Sequence, residues 1–137
     1  MNPTVKNIIA VTLGIVIGSM VNGVIIQYST SIIPTPPGTD VTTMEGLKAS
    51  IHLFTPINFL MPWLAHALGT FVGAVITALL ATKNKMRFAL SIGFVFFLGG
   101  ISAVMMLPAP LWFNVVDLTL AYIPMGWLAG NIATRKV

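Results

Sequence analysis

Cysteine is absent from all 137 residues, which excludes disulfides, thiolate nucleophiles and cysteine-ligated metals. Charge is almost as scarce: 7% of the chain is charged, only three residues are acidic, and two are histidines. No H-E-x-x-H, G-x-S-x-G or strand-associated G-x-G-x-x-G occurs, and no histidines are paired at metal spacing. No cofactor and no metal site are therefore expected, and an enzyme is the least favoured class. The net charge of +4 does not point to nucleic acid, because the positive residues fall at the ends of apolar segments, where they set membrane topology. What fills the chain instead is apolar: 56% hydrophobic residues and a mean hydropathy of +0.94 lie outside the range of soluble domains.

The organising stretch is residues 55–82, set in a run without Asp, Glu, Lys or Arg from Lys48 to Lys83. As a helix it reaches roughly 40 Å, more than the roughly 30 Å of a hydrocarbon core. Thr55 is placed to cap it, with Pro56 in the first helical position. Pro62, His66, Gly69 and Gly73 then recur on one stripe, the side expected to face other helices.

The same reasoning gives spans at about 7–27, 56–82, 88–106 and 114–133, with a loop over 28–55. The fold class is thus all-α, a polytopic membrane protein: one integral domain over 1–137, an antiparallel bundle of four transmembrane helices. The first span is expected to be a true span rather than a leader peptide, because it exceeds an h-region and no A-x-A-like site follows. Four spans put both termini on one side, together with Lys6, Lys83, Lys85, Arg87, Arg135 and Lys136, whereas Lys48 stands alone on the other. The positive-inside rule then places the termini in the cytoplasm and the protein in a cell inner membrane. Trp63, Trp112 and Tyr28 fall near the outer boundary, where amphipathic rings settle. This one-sided charge argues against a dual-topology dimer such as the small multidrug transporters and fluoride channels, which are similar in size. The membrane glutamate of the multidrug family is also missing from the first span.

Within the loop, the prolines of residues 33–38 enforce an extended path. Thr42 and Glu45 have capping-box spacing and open a short amphipathic periplasmic helix, with Met44, Leu47, Ile51 and Phe54 on one face. It is expected to lie on the membrane or over the mouth of the bundle, with Glu45 and His52 as outer-loop candidates.

Three small-residue seams are visible: Gly14/Gly18, Gly69/Gly73 and Gly126/Gly130. This exceeds what one four-helix unit needs, so a homo-oligomer or a place in a membrane complex is expected, besides the lipid bilayer as partner. Residues 64–66 and the following glycine pair are echoed, with one residue inserted, by residues 120–122 and Gly126/Gly130, consistent with either chance or a parallel repeat. The blocks HALGTFVGA, MLPAPLWF and AYIPMGWLAG resemble those of short four-helix inner-membrane proteins of bacteria. That resemblance implies the architecture and carries no activity.

Polar groups at membrane depth are functional candidates, because each is costly in lipid. His66 lies roughly 15 Å below the start of its helix, on the glycine stripe. It serves either as a packing residue bonded to Asn22, Ser102 or a carbonyl freed by Pro62, or as a ligand or proton-transfer group. Asp117 is either a first-turn carboxylate after Asn114, favoured by the helix dipole, or the partner of His66. Pro124 is expected to kink the fourth span and free the Leu120 carbonyl. Asn22, Gln27, Asn58, His66, Ser102, Asn114, Asp117 and Tyr122 all fall in the outer half. The reading is a non-enzymatic membrane protein that binds a partner helix, a lipid or a small ligand in an outward-facing polar pocket. The alternative is a small proton- or ion-coupled transporter using His66 and Asp117.

Overall fold

A computed structural model describes residues 1–135; the charge expected at Lys136 and the terminal Val137 lie outside the described residues. The chain is all-helical and carries four segments long and apolar enough to cross a membrane. In order they are α1 (Pro3–Ile32), α2 (Met44–Ser50), α3 (Leu60–Leu80), α4 (Lys85–Met106), α5 (Leu111–Leu120) and α6 (Ile123–Thr134). Short 3-10 turns, Ile51–Leu53 and Pro56–Phe59, lead into α3. Helices α1, α3, α4 and the α5–α6 pair form a four-helix bundle, in which α3 packs against α1, α4 and α6. Large apolar side chains such as Ile8, Met20, Val24, Phe94 and Leu98 stay exposed on the outside, as lipid-facing surfaces do.

The glycine stripes set the helix contacts. A Cβ placed on Gly18 would lie 2.6 Å from the Gly69 carbonyl oxygen, and one on Gly73 would lie 2.5 Å from that of Gly14. Backbones this close are available only to residues without side chains, and they yield the dispersion contacts that drive association in lipid. Gly126 meets the Ala89 carbonyl at 2.9 Å in the same sense, which locks α6 to α4.

Gly130 is buried in the same α6–α4 seam, where the atoms nearest a would-be Cβ are side-chain ones: the Met86 thioether, Met86 Cε at 2.9 Å and Ala89 Cβ at 3.3 Å. A flexible methionine fills the space beside Gly130, so the Gly126/Gly130 pair supplies one backbone crossing, at Gly126, and one side-chain contact, at Gly130. The glycines of all three stripes thus make contacts within this chain. At the termini end, Asn7 Oδ1 accepts from the Thr82 N–H and hydroxyl at 3.0 and 3.1 Å, which ties α1 to the end of α3.

Several boundaries differ from expectation. The first span begins at Pro3, where the Asn2 side chain accepts from the Thr4 N–H at 2.8 Å, and it extends to Ile32 rather than stopping near residue 27. The second starts as expected, with Thr55 at the N-cap and Pro56 after it, and Asn58 completes a capping box with Thr55. Asn58 Oδ1 accepts from both the Thr55 N–H and its hydroxyl, and Asn58 Nδ2 donates to the Pro34 carbonyl, which pins the extended loop to the bundle. The expected Thr42–Glu45 capping box is absent. Thr42 gives its N–H and hydroxyl to Asp40, so Thr43 becomes the cap of α2, accepting from the Gly46 N–H at 2.9 Å. Those two bonds favour the charged form and hold the Asp40 carboxyl below the ordinary aspartate value. Glu45 is left exposed, as is His52. Of the expected apolar face, Leu47, Ile51 and Phe54 pack with Phe59 and Phe113 over the loop end of the bundle, while Met44 stays exposed.

Candidate functional site

The fourth span is two helices rather than one. Pro124 lacks the N–H that would reach the Leu120 carbonyl, and its ring crowds that position. The chain breaks just before it: Ala121 N–H closes α5 on the Asp117 carbonyl, Tyr122 leaves helical geometry, and Gly126 N–H opens α6 on the Tyr122 carbonyl. The expected proline kink is thus a full interruption. Asp117 is also relocated, since α5 begins at Leu111 and the residue is seventh in a ten-residue helix. Its carboxylate is therefore far from the helix N-terminus, and the dipole explanation for it falls.

The break brings Tyr122 back toward Asp117, five residues upstream. The Tyr122 hydroxyl donates to Asp117 Oδ2 at 2.8 Å, while His66 Nδ1 meets Oδ1 at 2.8 Å from α3. His66 and Tyr122 stack with ring centroids 5.8 Å apart, so the two echo-related positions meet in the structure. The Asp117 side chain is 4% exposed and that of His66 20%. Gly100 makes room for the tyrosine: a Cβ there would lie 2.6 Å from its ring. Phe97 closes the other side edge-on.

An ionised carboxylate only accepts, so this arrangement satisfies both of its oxygens and fixes the histidine with Nδ1–H toward it. Nε2 is then the remaining hydrogen-bonding atom of the ring, and protonating it gives an imidazolium–carboxylate pair. The site's two metal-capable donors are fewer than a structural zinc takes, and among the described residues no cluster of three or more occurs.

His66 and Asp117 are among the residues that line a cavity of about 140 Å³. The remaining wall is mostly apolar, contributed by Ile26, Ile51, Phe54, Phe59, Val104 and Phe113, and the α2 segment covers it through Leu47. A second cavity of about 260 Å³, beside the end of α1, is bordered by Gln27, Thr30, Thr35 and Asn58 and shares Ile26, Leu47, Phe54 and Pro62 with the first.

The expected polar cluster is therefore divided. His66, Asp117 and Asn114 line the first cavity, Gln27 and Asn58 the second, and Tyr122 stands behind Asp117. Asn22 belongs to neither; its side chain packs over Gly69 in the α1–α3 seam. Ser102 is exposed and returns its hydroxyl to the Leu98 carbonyl. Neither is a partner of His66. One contributor was not anticipated from the sequence: Gly100, one of an adjacent pair whose other member, Gly99, faces open space; Asn58 was expected in the outer cluster, but not in its capping-box position three residues after Thr55. Comparison with protein-family models, curated proteins and solved structures finds no match.

Proposed function

We propose that the protein is a non-enzymatic membrane protein that binds a small amphiphile in the cavity at its loop end, with His66 and Asp117 recognising the polar end of that ligand. The single observation that carries this is a mostly apolar cavity whose wall includes a hydrogen-bonded histidine–carboxylate pair. The charge bias supports an inner-membrane placement with cytoplasmic termini, so that the cavity faces outward. Likeness of the quoted blocks to short bacterial membrane proteins supports the same cellular setting. A partner helix is the weaker occupant, because the cavity is small and covered by α2. The test is thermal unfolding in one detergent with alkyl amines, alkyl carboxylic acids and alkanols of matched length. Wild type should be stabilised by at least one headgroup class, and Val104→Trp, which fills the cavity, should lose that response. An equal response in both proteins contradicts the proposal.

A second reading, proton-coupled transport, draws on one further observation. The Thr70 hydroxyl is fully buried without a partner, one turn from His66 toward the termini end, and Thr77 follows on the same face. Against a through path stands the packing of Ala74, Ala78, Ala89, Ile92, Ala129 and Ala133 across that half. Proton flux in reconstituted vesicles that vanishes in His66→Ala supports transport; no flux under any gradient removes it.

A further inference from the structure

The end of the bundle opposite the cavity has a cleft of its own. Residues at the start of α4, Asn84 to Arg87, and at the end of α6, Thr134 and Arg135, enclose about 690 Å³ of broadly open space. Its charge is of one sign. Lys85, Arg87 and Arg135 line it, and Lys83 precedes it on the same turn. The three acidic side chains lie elsewhere: Asp40 and Glu45 in the loop segment, Asp117 against His66. Among the described residues the His66–Asp117 contact is the single carboxylate contact of a basic side chain, so no described acidic side chain pairs with these cations.

Backbone donors add to them. Asn84 takes the left-handed conformation (φ 53°, ψ 41°), its side chain caps nothing, and its carbonyl accepts from Arg87 and Phe88. The N–H groups of Lys85 and Met86 are left without an acceptor among the described residues. Free N–H groups ringed by guanidinium and ammonium groups suit a phosphate oxyanion. A soluble phosphate would use only that much. The flank of the cleft continues as an apolar stripe, since Leu128 and Ile132 are exposed on the α6 face that carries Arg135. A molecule with a phosphate head and an acyl chain fits both parts.

We infer that this cleft binds the phosphate of an anionic lipid, headgroup against Arg87 and Arg135 and chain along Leu128 and Ile132. The test uses the full chain in neutral detergent, titrated separately with phosphatidylglycerol, phosphatidylcholine and inorganic phosphate, with bound molecules counted by native mass spectrometry. Wild type should retain phosphatidylglycerol in preference to phosphatidylcholine. Each cation removed should weaken that retention by about fivefold, so Arg87→Gln with Arg135→Gln should lose about 25-fold. A second pair, Lys85→Gln with Arg135→Gln, should match it, and Arg87→Lys with Arg135→Lys should keep most of the affinity. The control pair Lys6→Gln with Lys48→Gln removes as much charge outside the cleft and should leave retention unchanged. Equal retention by wild type and both glutamine pairs overturns the inference, and so does an equal loss in the control pair. Inorganic phosphate binding as tightly as phosphatidylglycerol would also overturn it, by making the cleft a soluble-anion site.

Discussion

Gly73→Ala is the most exacting perturbation of the packing. The added Cβ would lie 2.5 Å from the Gly14 carbonyl oxygen, about 0.9 Å short of the 3.4 Å at which ordinary contact begins. The obstacle is backbone, so no rotamer change relieves it and α1 must move away from α3. Overpacking of this kind costs about 1 to 3 kcal/mol. The substitution also gains about 0.5 to 1 kcal/mol from replacing glycine within a helix. A control separates the two effects: Gly23 on α1 has nothing within 4 Å of its would-be Cβ, so Gly23→Ala has only the gain. The two variants should therefore differ by about 1 to 3 kcal/mol, with Gly73→Ala the less stable. Adding Gly69→Ala to Gly73→Ala should cost less than the sum, because one displacement of α1 relieves both clashes. Reversible unfolding in mixed micelles, followed by a fluorophore pair on α1 and α3, gives the comparison. Equal stability of Gly73→Ala and Gly23→Ala would refute the close α1–α3 crossing.

Three further outcomes are expected. Asp117→Leu strands the Tyr122 hydroxyl and the His66 N–H, at about 1 to 3 kcal/mol for each buried donor, whereas Asp117→Asn keeps one acceptor and should recover part of the loss; thermal unfolding of the two variants in one lipid checks this. A single cysteine at Thr39 or Ala109 should be labelled by an impermeant reagent from outside and one at Asn84 should not, and the reverse pattern would invert the orientation. The Asp40 turn should contribute stability that is present above the ordinary aspartate pKa and lost as pH falls through the lowered folded value; the Thr42 amide resonance should report that transition, and a titration at the ordinary value would contradict it.

Four spans and the three glycine seams were legible because both are periodic: apolar length sets a crossing, and small residues four apart fall on one helix face. Gly14/Gly18 against Gly69/Gly73 is the plainest case. The third pair is equally periodic and also packs on α4, but the atoms nearest Gly130 belong to the Met86 and Ala89 side chains, and spacing on α6 says nothing about which α4 side chain will reach across. Legibility also failed where a side chain outcompeted a pattern. Thr42 had the right spacing to Glu45, yet Asp40 took its donors and moved the helix start by one residue. It failed again at Tyr122, because a proline two residues ahead permits either a kink or a break, and tertiary contacts decide between them. The His66–Asp117 pair depends on that break. Helical periodicity alone put Asp117 about half a turn from the Gly126/Gly130 face, and no spacing rule reaches across 51 residues.

Whether His66 and Asp117 recognise a ligand in the loop-end cavity is decided by the affinity of wild type, His66→Gln and His66→Leu for the best-stabilising amphiphile of the alkyl panel, measured in the same lipid together with thermal stability. Glutamine can preserve a hydrogen bond to Asp117 but does not reproduce the imidazole, whereas leucine leaves Asp117 without that partner. Wild type should bind most tightly, with affinity falling in His66→Gln and falling further in His66→Leu. Unchanged affinity in both variants, with only thermal stability altered, would leave the His66–Asp117–Tyr122 cluster as an element that only holds the helices together.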